Sequence, residues 1–473
     1  MIIMNKKSQF LKNLFTAFLA QGISLLLSAF MSFVIPKFLG VKEYSYWQLF
    51  IFYSGYVGFF HFGFNDGVYL RLGGKKYEEL DFKGLGTQVK IISVVEVLIS
   101  LLIIVLTNFL VLNPERRIIW ITTGIYLFLS NMTSCLGYIF QAVNLTKTFS
   151  VSVILDRISV LAFILLLLLR KQDSFEPFII TYAMSKAVAL AYCIWKAKKI
   201  VFSKLANIHN TLADMWISFS VGIKLTIANI MSMLILGIGR WVIDNVWGIE
   251  SFGKISLSLS LTNFFLVFIQ QISMVLFPAL RRVGDDKQKK IYNMVRIYLG
   301  LFLPIVFVSY FPLKFIVGWW LPQYSESLKY LGLLLPLCTF DGKMQMLCNT
   351  YLKVLRQEKR LLQINVCAFF ISLCLCVFCG YGLNNINCVV ASMVFSIAFR
   401  SIIAERFLAK EMGINIFRFM VQEIILVIIF VLNAWFVDEL IAFGFTIIIY
   451  GIYLYINRKS IDLKQLMSIV KLK

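Results

Sequence analysis

The sequence predicts an all-α, polytopic membrane protein with about fourteen transmembrane helices, and three observations carry that prediction. Of the 473 residues, 60% are hydrophobic and only 15% charged, against roughly 45–50% and about 25% in a soluble domain. Too little polar surface remains to keep a folded chain of this size in water. The apolar residues also fall in long runs, each close to the roughly 20 residues that one helix needs to cross the hydrocarbon core. Finally, the excess of basic residues that gives the net charge of +22 sits in short clusters between those runs, which is a topology signal rather than the basic face of a nucleic-acid-binding domain.

In chain order the apolar runs extend from Asn13 to Ile35, Ser45 to Phe64, Val89 to Leu112, Ile118 to Phe140, Val151 to Leu169 and Phe178 to Trp195. Six more run from Trp216 to Gly239, Ile255 to Pro278, Met294 to Phe311, Leu328 to Leu347, Leu362 to Tyr381 and Cys388 to Ile403. The last stretch, Phe419 to Tyr455, is too long for one crossing and carries Asn433, Asp438 and Glu439 near its middle, so it splits into two. The first run lacks a cleavage-type small-residue site and reads as a retained helix. With the N-terminus inside, twenty-nine Lys and Arg fall in inner segments and nine in outer ones. That bias predicts a multi-pass membrane protein with both termini cytoplasmic and an even number of spans. The expected organisation is a six-helix bundle at 1–199, a basic connector at 200–215, a second six-helix bundle at 216–410, and two further helices with a basic tail at 411–473.

The chain also repeats itself. Phe38-Leu39-Gly40-Val41-Lys42-Glu43-Tyr44-Ser45 and Val246-Trp247-Gly248-Ile249-Glu250-Ser251-Phe252-Gly253 share a Gly, a β-branched residue, two polar residues, an aromatic and a small residue at matching positions. They fall at the same place in each expected bundle, after its first span. Transporters are commonly built from such repeats, with the binding site between the halves.

Ionisable groups inside spans cost about 2.5–3.5 kcal/mol each on insertion scales, so each should face a partner or a hydrated cavity. Glu96, Asp156, Arg157, Lys186, Lys224, Asp341 and Lys343 are the clear cases. Lys224 stands out, because it lies in the first span of the second half, where a lumen-facing ammonium would attract a lipid diphosphate. Arg240 and Asp66 lie near span ends bordering the same expected interface, with Arg71 close by. The candidate substrate-binding set is therefore Lys224, Arg240, Asp66, Arg71, Lys186 and Glu96; for each the alternative is a buried ion pair or a snorkelling end residue. Glu96, Asp66 and Asp156 are also candidates for coupling to an ion. A polar, small stripe of Asn13, Thr16, Ala17, Ala20, Gln21, Ser24, Ser28 and Ser32 suits either a hydrated, sugar-compatible cavity or, slightly preferred, close helix packing.

Other chemistries find less support. Cys374, Cys376 and Cys379 lie within one apolar run without a histidine or the paired turns of a zinc site, so no metal is expected. No phosphate-cradling G-x-x-x-x-G-K-[ST] segment occurs, no cofactor is implied, and His61 and His209 offer no outer active site.

The paired loops, together with Phe62-Gly63-Phe64-Asn65-Asp66-Gly67-Val68-Tyr69-Leu70-Arg71-Leu72-Gly73-Gly74 after span two and Phe277-Pro278-Ala279-Leu280-Arg281 after span eight, resemble those of polysaccharide exporters. More narrowly, the chain resembles the O-antigen and capsule repeat-unit flippases of the multidrug/oligosaccharidyl-lipid/polysaccharide (MOP) exporter superfamily. The resemblance implies two pseudo-symmetric six-helix bundles in a MATE-like V around a central, often cationic cavity. It implies a non-enzymatic flippase that moves undecaprenyl-diphosphate-linked oligosaccharide from the inner to the outer leaflet by alternating access. Its partners would be that lipid-linked oligosaccharide, membrane lipids and the polysaccharide polymerase machinery, with no nucleic acid. Twelve spans are common among O-antigen flippases, so fourteen is a departure. A cation-coupled drug exporter of the same fold and a membrane polysaccharide polymerase are the alternative readings.

Overall fold

The computed structural model describes Leu19 and residues 21–280 and 285–458, and every regular element among them is helical. Eleven helical stretches are long and apolar enough to cross a membrane. The difference from fourteen has identifiable causes. The stretch Ile208–Val267 alone covers two of the expected runs, while the runs Ser45 to Phe64 and Leu328 to Leu347 are each broken into shorter helices. Asn13, Thr16, Ala17 and Ala20 of the polar stripe, and Arg281, lie outside the described residues. The chain divides into two compact units, 1–230 and 231–473.

In the first unit the helices are α1 (Gln21–Phe38), α2 (Val41–Tyr56), α3 (Phe64–Leu72), α4 (Phe82–Leu110), α5 (Pro114–Ala142), α6 (Thr146–Leu169), α7 (Phe175–Lys196) and the first part of α8 (Ile208–Leu280). Their starts follow from local chemistry. Asp81 accepts from the Lys83 and Gly84 amides at the head of α4. Asn113 accepts from the Arg116 amide at 2.8 Å ahead of Pro114 in α5; in both cases a side-chain oxygen satisfies amides that the helix leaves unpaired. The unit is organised around α5, which packs against α2, α3, α4, α6 and α7. Small residues permit this: Gly124 lies against the Ser100 carbonyl and Ile104 of α4, and Gly137 against Phe149 of α6.

The second unit contains the rest of α8, then α9 (Asp285–Phe302), α10 (Ile305–Trp320), α11 (Ser325–Leu334), α12 (Pro336–Lys343), α13 (Asn349–Val354), α14 (Glu358–Val377), α15 (Ile386–Met412), α16 (Phe417–Phe436) and α17 (Glu439–Ile456). Here α15 takes the central place, packing against α11, α12 and α14. The last two helices are integral to the unit. Asn433 of α16 donates to the Ala442 carbonyl and Thr446 hydroxyl of α17, while Tyr450 and Tyr453 donate to the Leu301 and Gly300 carbonyls of α9, each at 2.9 Å. At a polar end, Lys254 donates to Glu326 at 2.6 Å and holds that exposed carboxyl below the usual carboxylate range.

Both repeat loops fall at helix junctions. Gly40 is the N-cap of α2, with extended ψ of 164°. Gly248 interrupts α8 with φ of 82°, a left-handed conformation that disfavours any residue with a Cβ. The same sequence position thus turns the chain in both halves.

The inner and outer assignments are open to labelling. With the exposed native Cys367 and Cys374 replaced by Ser, Cys introduced at Asp173 should react with an impermeant maleimide applied outside intact cells, and Cys introduced at Lys289 only after permeabilisation. External labelling at Lys289 would invert the expected topology.

Candidate functional site

The motif closing the second span is a built feature. Phe62 and Gly63 both adopt left-handed conformations, with φ of 49° and 86°, which ends the 3-10 turn Val57–His61 and starts α3 in a new direction. The first part of α8 then crosses α3 at very short range. A Cβ on Gly67 would fall inside the Ser218 backbone, and one on Gly222 would fall on the Gly63 carbonyl; only glycines allow this approach. Thr211, Met215, Ser218, Gly222 and Thr226 are all buried and recur at three- and four-residue spacing, marking the face of α8 that packs here.

Two of the candidate residues meet at this crossing. Asp66 of α3 accepts from the Thr226 hydroxyl at 2.9 Å. One helical turn on, Arg71 donates to the Asp214 carbonyl at 2.6 Å and to Gln88 at 3.2 Å, and pairs with the Asp214 carboxylate at 3.3 Å. Asn65, between them and the turn, is buried with neither amide atom hydrogen-bonded, a cost of about 1–3 kcal/mol for such groups. Lys224 points elsewhere. It is two residues, hence about 200°, from both Gly222 and Thr226; it is exposed and forms no ion pair among the described residues.

Glu96 and Lys186 have protein partners instead. Glu96 is fully buried and accepts from Asn131 at 2.9 Å, while Asn131 also donates to the Val57 carbonyl at 3.0 Å. Its second oxygen has no hydrogen bond. Lys186 pairs with buried Asp156 at 2.8 Å, and Arg157 stands 3.9 Å from the same carboxylate. In the second unit Arg240 stacks over the Phe252 ring at 4.7 Å and donates to Ser256 at 2.8 Å.

Two acids that sequence reasoning missed complete the charge map. Arg296, Lys343, Glu405 and Glu423, all at most 1% exposed, form one network: Arg296 pairs with Glu405 at 2.5 Å and Glu423 at 3.3 Å, and Lys343 with Glu405 at 3.2 Å and with Glu423. Arg400 pairs with Asp341 and donates to Ser232. Glu405 lies just past the expected end of its span at Ile403, and Glu423 inside the long final run. The signal was available in Arg296 and Lys343, because two buried cations require two acids nearby. Among the described residues no group of His, Cys, Asp and Glu is arranged to hold a metal.

The family model of the polysaccharide biosynthesis proteins matches residues 10–284. The chain belongs to that family. All six candidate residues lie inside the matched segment, and the buried network of Arg296, Lys343, Glu405 and Glu423 lies wholly beyond it. No curated protein matches the chain. Among solved structures, the lipid II flippase MurJ in an inward closed conformation is similar with a TM-score of 0.65 and 12% identity, covering 96% of this chain and 100% of that one. An inward-facing multidrug resistance MATE transporter of the MOP superfamily gives 0.62 at 11% identity, covering 82% and 94%. A Vibrio cholerae MATE transporter gives 0.56 at 14% identity, covering 85% and 97%. The family member therefore has the MOP exporter fold, as its loops led us to expect, and is a multi-pass membrane protein.

The two kinds of contact respond differently to substitution. Glu423→Gln leaves Lys343 short of one partner in a dry site and should lower unfolding free energy in detergent by about 3–5 kcal/mol. Lys343→Met/Glu423→Leu should recover most of that loss, since Arg296 and Glu405 still pair. Gly67→Ala, which overpacks the α3–α8 crossing, should cost about 1–3 kcal/mol in the same measurement.

Proposed function

We propose that this protein is a flippase that carries undecaprenyl-diphosphate-linked oligosaccharide repeat units from the inner to the outer leaflet for cell-surface polysaccharide synthesis. It acts by alternating access as a secondary-type transporter in the cytoplasmic membrane, with bundles at 1–199 and 216–410, the connector 200–215 and the helix pair and tail at 411–473. Family membership and the exporter fold support the class. Lys224 is the observation that carries the choice of cargo.

Lys224 lies about 12 Å along the helix from Trp216, near mid-membrane on a core of about 30 Å. An ammonium that is exposed there and unpaired among the described residues is costly against hydrocarbon, and in this reading its side of α8 borders a hydrated path. The buried acids contrast with it. Glu96, Glu405 and Glu423 are closed off, and Asp156 and Asp341 are paired. An accessible cation with its competing acids buried suits an anionic lipid diphosphate and repels a cationic drug. Asp66 and Arg71 position α3 against α8.

Outward movement can be driven without ATP. Each charge crossing 100 mV is worth about 2.3 kcal/mol, so a dianionic lipid leaving a negative interior gains roughly twice that. An enzymatic alternative lacks groups: the His61 ring is buried and accepts the Gly63 amide.

The test is outward translocation of an undecaprenyl-diphosphate oligosaccharide by the purified protein in vesicles, with complementation of a flippase-deficient strain. Lys224→Ala should lose at least about tenfold in rate, the worth of one 1.4 kcal/mol contact, while Lys224→Arg keeps part of it and both fold normally. Wild-type transport by the alanine variant, or transport of a cationic dye instead, would overturn the reading.

A further inference from the structure

We infer that Glu96 is a proton-binding site of the first unit, and that the proton it holds governs the helix break between α2 and α3. Such a site does not depend on the identity of the cargo. Elsewhere the buried acids meet cations: Glu405 and Glu423 pair with Arg296 and Lys343, Asp341 with Arg400 and Asp156 with Lys186. Glu96 does not. It lies midway along the 29-residue α4, is fully buried, and forms no ion pair among the described residues. Of the titratable groups on the elements packed against α4, Cys135 of α5 is close enough to feel it, while His61 of the 3-10 turn interacts instead with Asp66 of α3. The segment Lys198–Val201 meets α4 at Gly86, about 15 Å along the axis from Glu96, and Lys90 on α4 itself donates to the Ser203 carbonyl. A carboxylate at that depth with no cation is an uncompensated charge, whereas the protonated acid is neutral.

The hydrogen bonds fit the protonated form. Oε2 accepts from the Asn131 amide at 2.9 Å, and Oε1 is buried without a hydrogen bond. Ser100, one turn further along the same face, has a buried hydroxyl in the same state. An ionised carboxylate needs donors on both oxygens, and one amide N–H is too few; a proton makes Oε1 a donor, with the Ser100 hydroxyl as an acceptor one turn away. Asn131 carries the effect to the backbone. Its amide nitrogen has two hydrogens, one on Glu96 and the other on the carbonyl of Val57 at 3.0 Å, the first residue of the 3-10 turn Val57–His61. Loss of the proton leaves two anionic oxygens competing for that amide, which draws it away from Val57. The same turn ends in the left-handed Phe62 and Gly63, where the His61 ring accepts the Gly63 amide at 3.0 Å. Gly63 and Gly67 fit against α8 at Gly222, Ile223 and Ser218 with no room for a Cβ. Proton occupancy at Glu96 therefore reaches the α3–α8 crossing through one amide and one turn.

The experiment uses the full-length protein in an ester-free detergent, with Cys367 and Cys374 replaced by Ser and an environment-sensitive fluorophore attached through Leu70→Cys, an exposed position of α3. At neutral pH the infrared spectrum should contain a protonated-carboxyl band that Glu96→Gln removes. The variant should melt at the same temperature, because Gln has the shape and neutrality of the protonated acid. Raising the pH should abolish the band and shift the fluorophore emission, and the shift should be absent from Glu96→Gln. Exchanging choline for sodium should change none of these readings. An unchanged infrared spectrum in Glu96→Gln, a sodium-dependent stabilisation that the variant loses, or an emission shift that persists in the variant would overturn the proposal. So would a lower melting temperature of Glu96→Gln, which would mark Glu96 as an ionised partner of a cation. Failure to transport an undecaprenyl-diphosphate oligosaccharide bears on the cargo alone and leaves these measurements untouched.

Discussion

A charge inside a bilayer must be paired, hydrated or absent, and that constraint arranges the rest of this protein. The first solution appears in the second unit, where Arg296 and Lys343 meet Glu405 and Glu423 with all four side chains removed from solvent. The charges sum to zero, so the network ties four helices, α9, α12, α15 and α16, together with no net charge. Such a network is weak evidence for stability relative to an apolar core, yet it fixes register, since any sliding of one helix would strand a charge. It also explains why the last two helices belong to the unit: Glu423 on α16 supplies a quarter of the network.

The first unit uses a different cohesive device at the α3–α8 crossing. Glycines at 63, 67 and 222 bring two backbones into contact, and dispersion at short range replaces side-chain burial. One hydroxyl–carboxylate bond at Asp66 and one partly exposed pair at Arg71 add direction more than energy. A contact of this kind is held by shape, with few polar bonds to break. Asn65, buried beside it without a hydrogen bond, is a local expense of the sort that accumulates at functional positions.

Much of the fold was legible because hydrophobic runs and basic clusters are one-dimensional signals that the bilayer enforces locally. The Phe62–Gly74 motif was also readable as special, and its left-handed pair and glycine contacts give the reason. Partnerships were not legible. Nothing in the sequence shows that Lys186 belongs to Asp156 thirty residues away, or that Glu96 meets Asn131, because those pairings depend on how α4 to α7 gather around α5. Glu405 was overlooked because the apolar run ends at Ile403, ahead of the charged pair Glu405-Arg406, whereas the helix α15 continues nine residues further to Met412. The crossing count fell short for the same type of reason: left-handed residues at Phe62 and Gly63 and the breaks around Pro336 interrupt helices without interrupting hydropathy.

The net charge of +22 gains meaning once the paired residues are set aside. Arg296, Lys343, Arg400 and Lys186 are neutralised by acids in the interior, and Arg71 is tied to Asp214. What remains is of two kinds. Many basic residues lie at helix ends, Arg406 and Lys410 in the last turns of α15 among them. Lys224 differs from these in lying well inside its expected run, Trp216 to Gly239, exposed and without an ion pair among the described residues. A cation in that position is costly against hydrocarbon, and the flippase proposed above would turn the cost to use by keeping that face of α8 in water along the path of a charged headgroup.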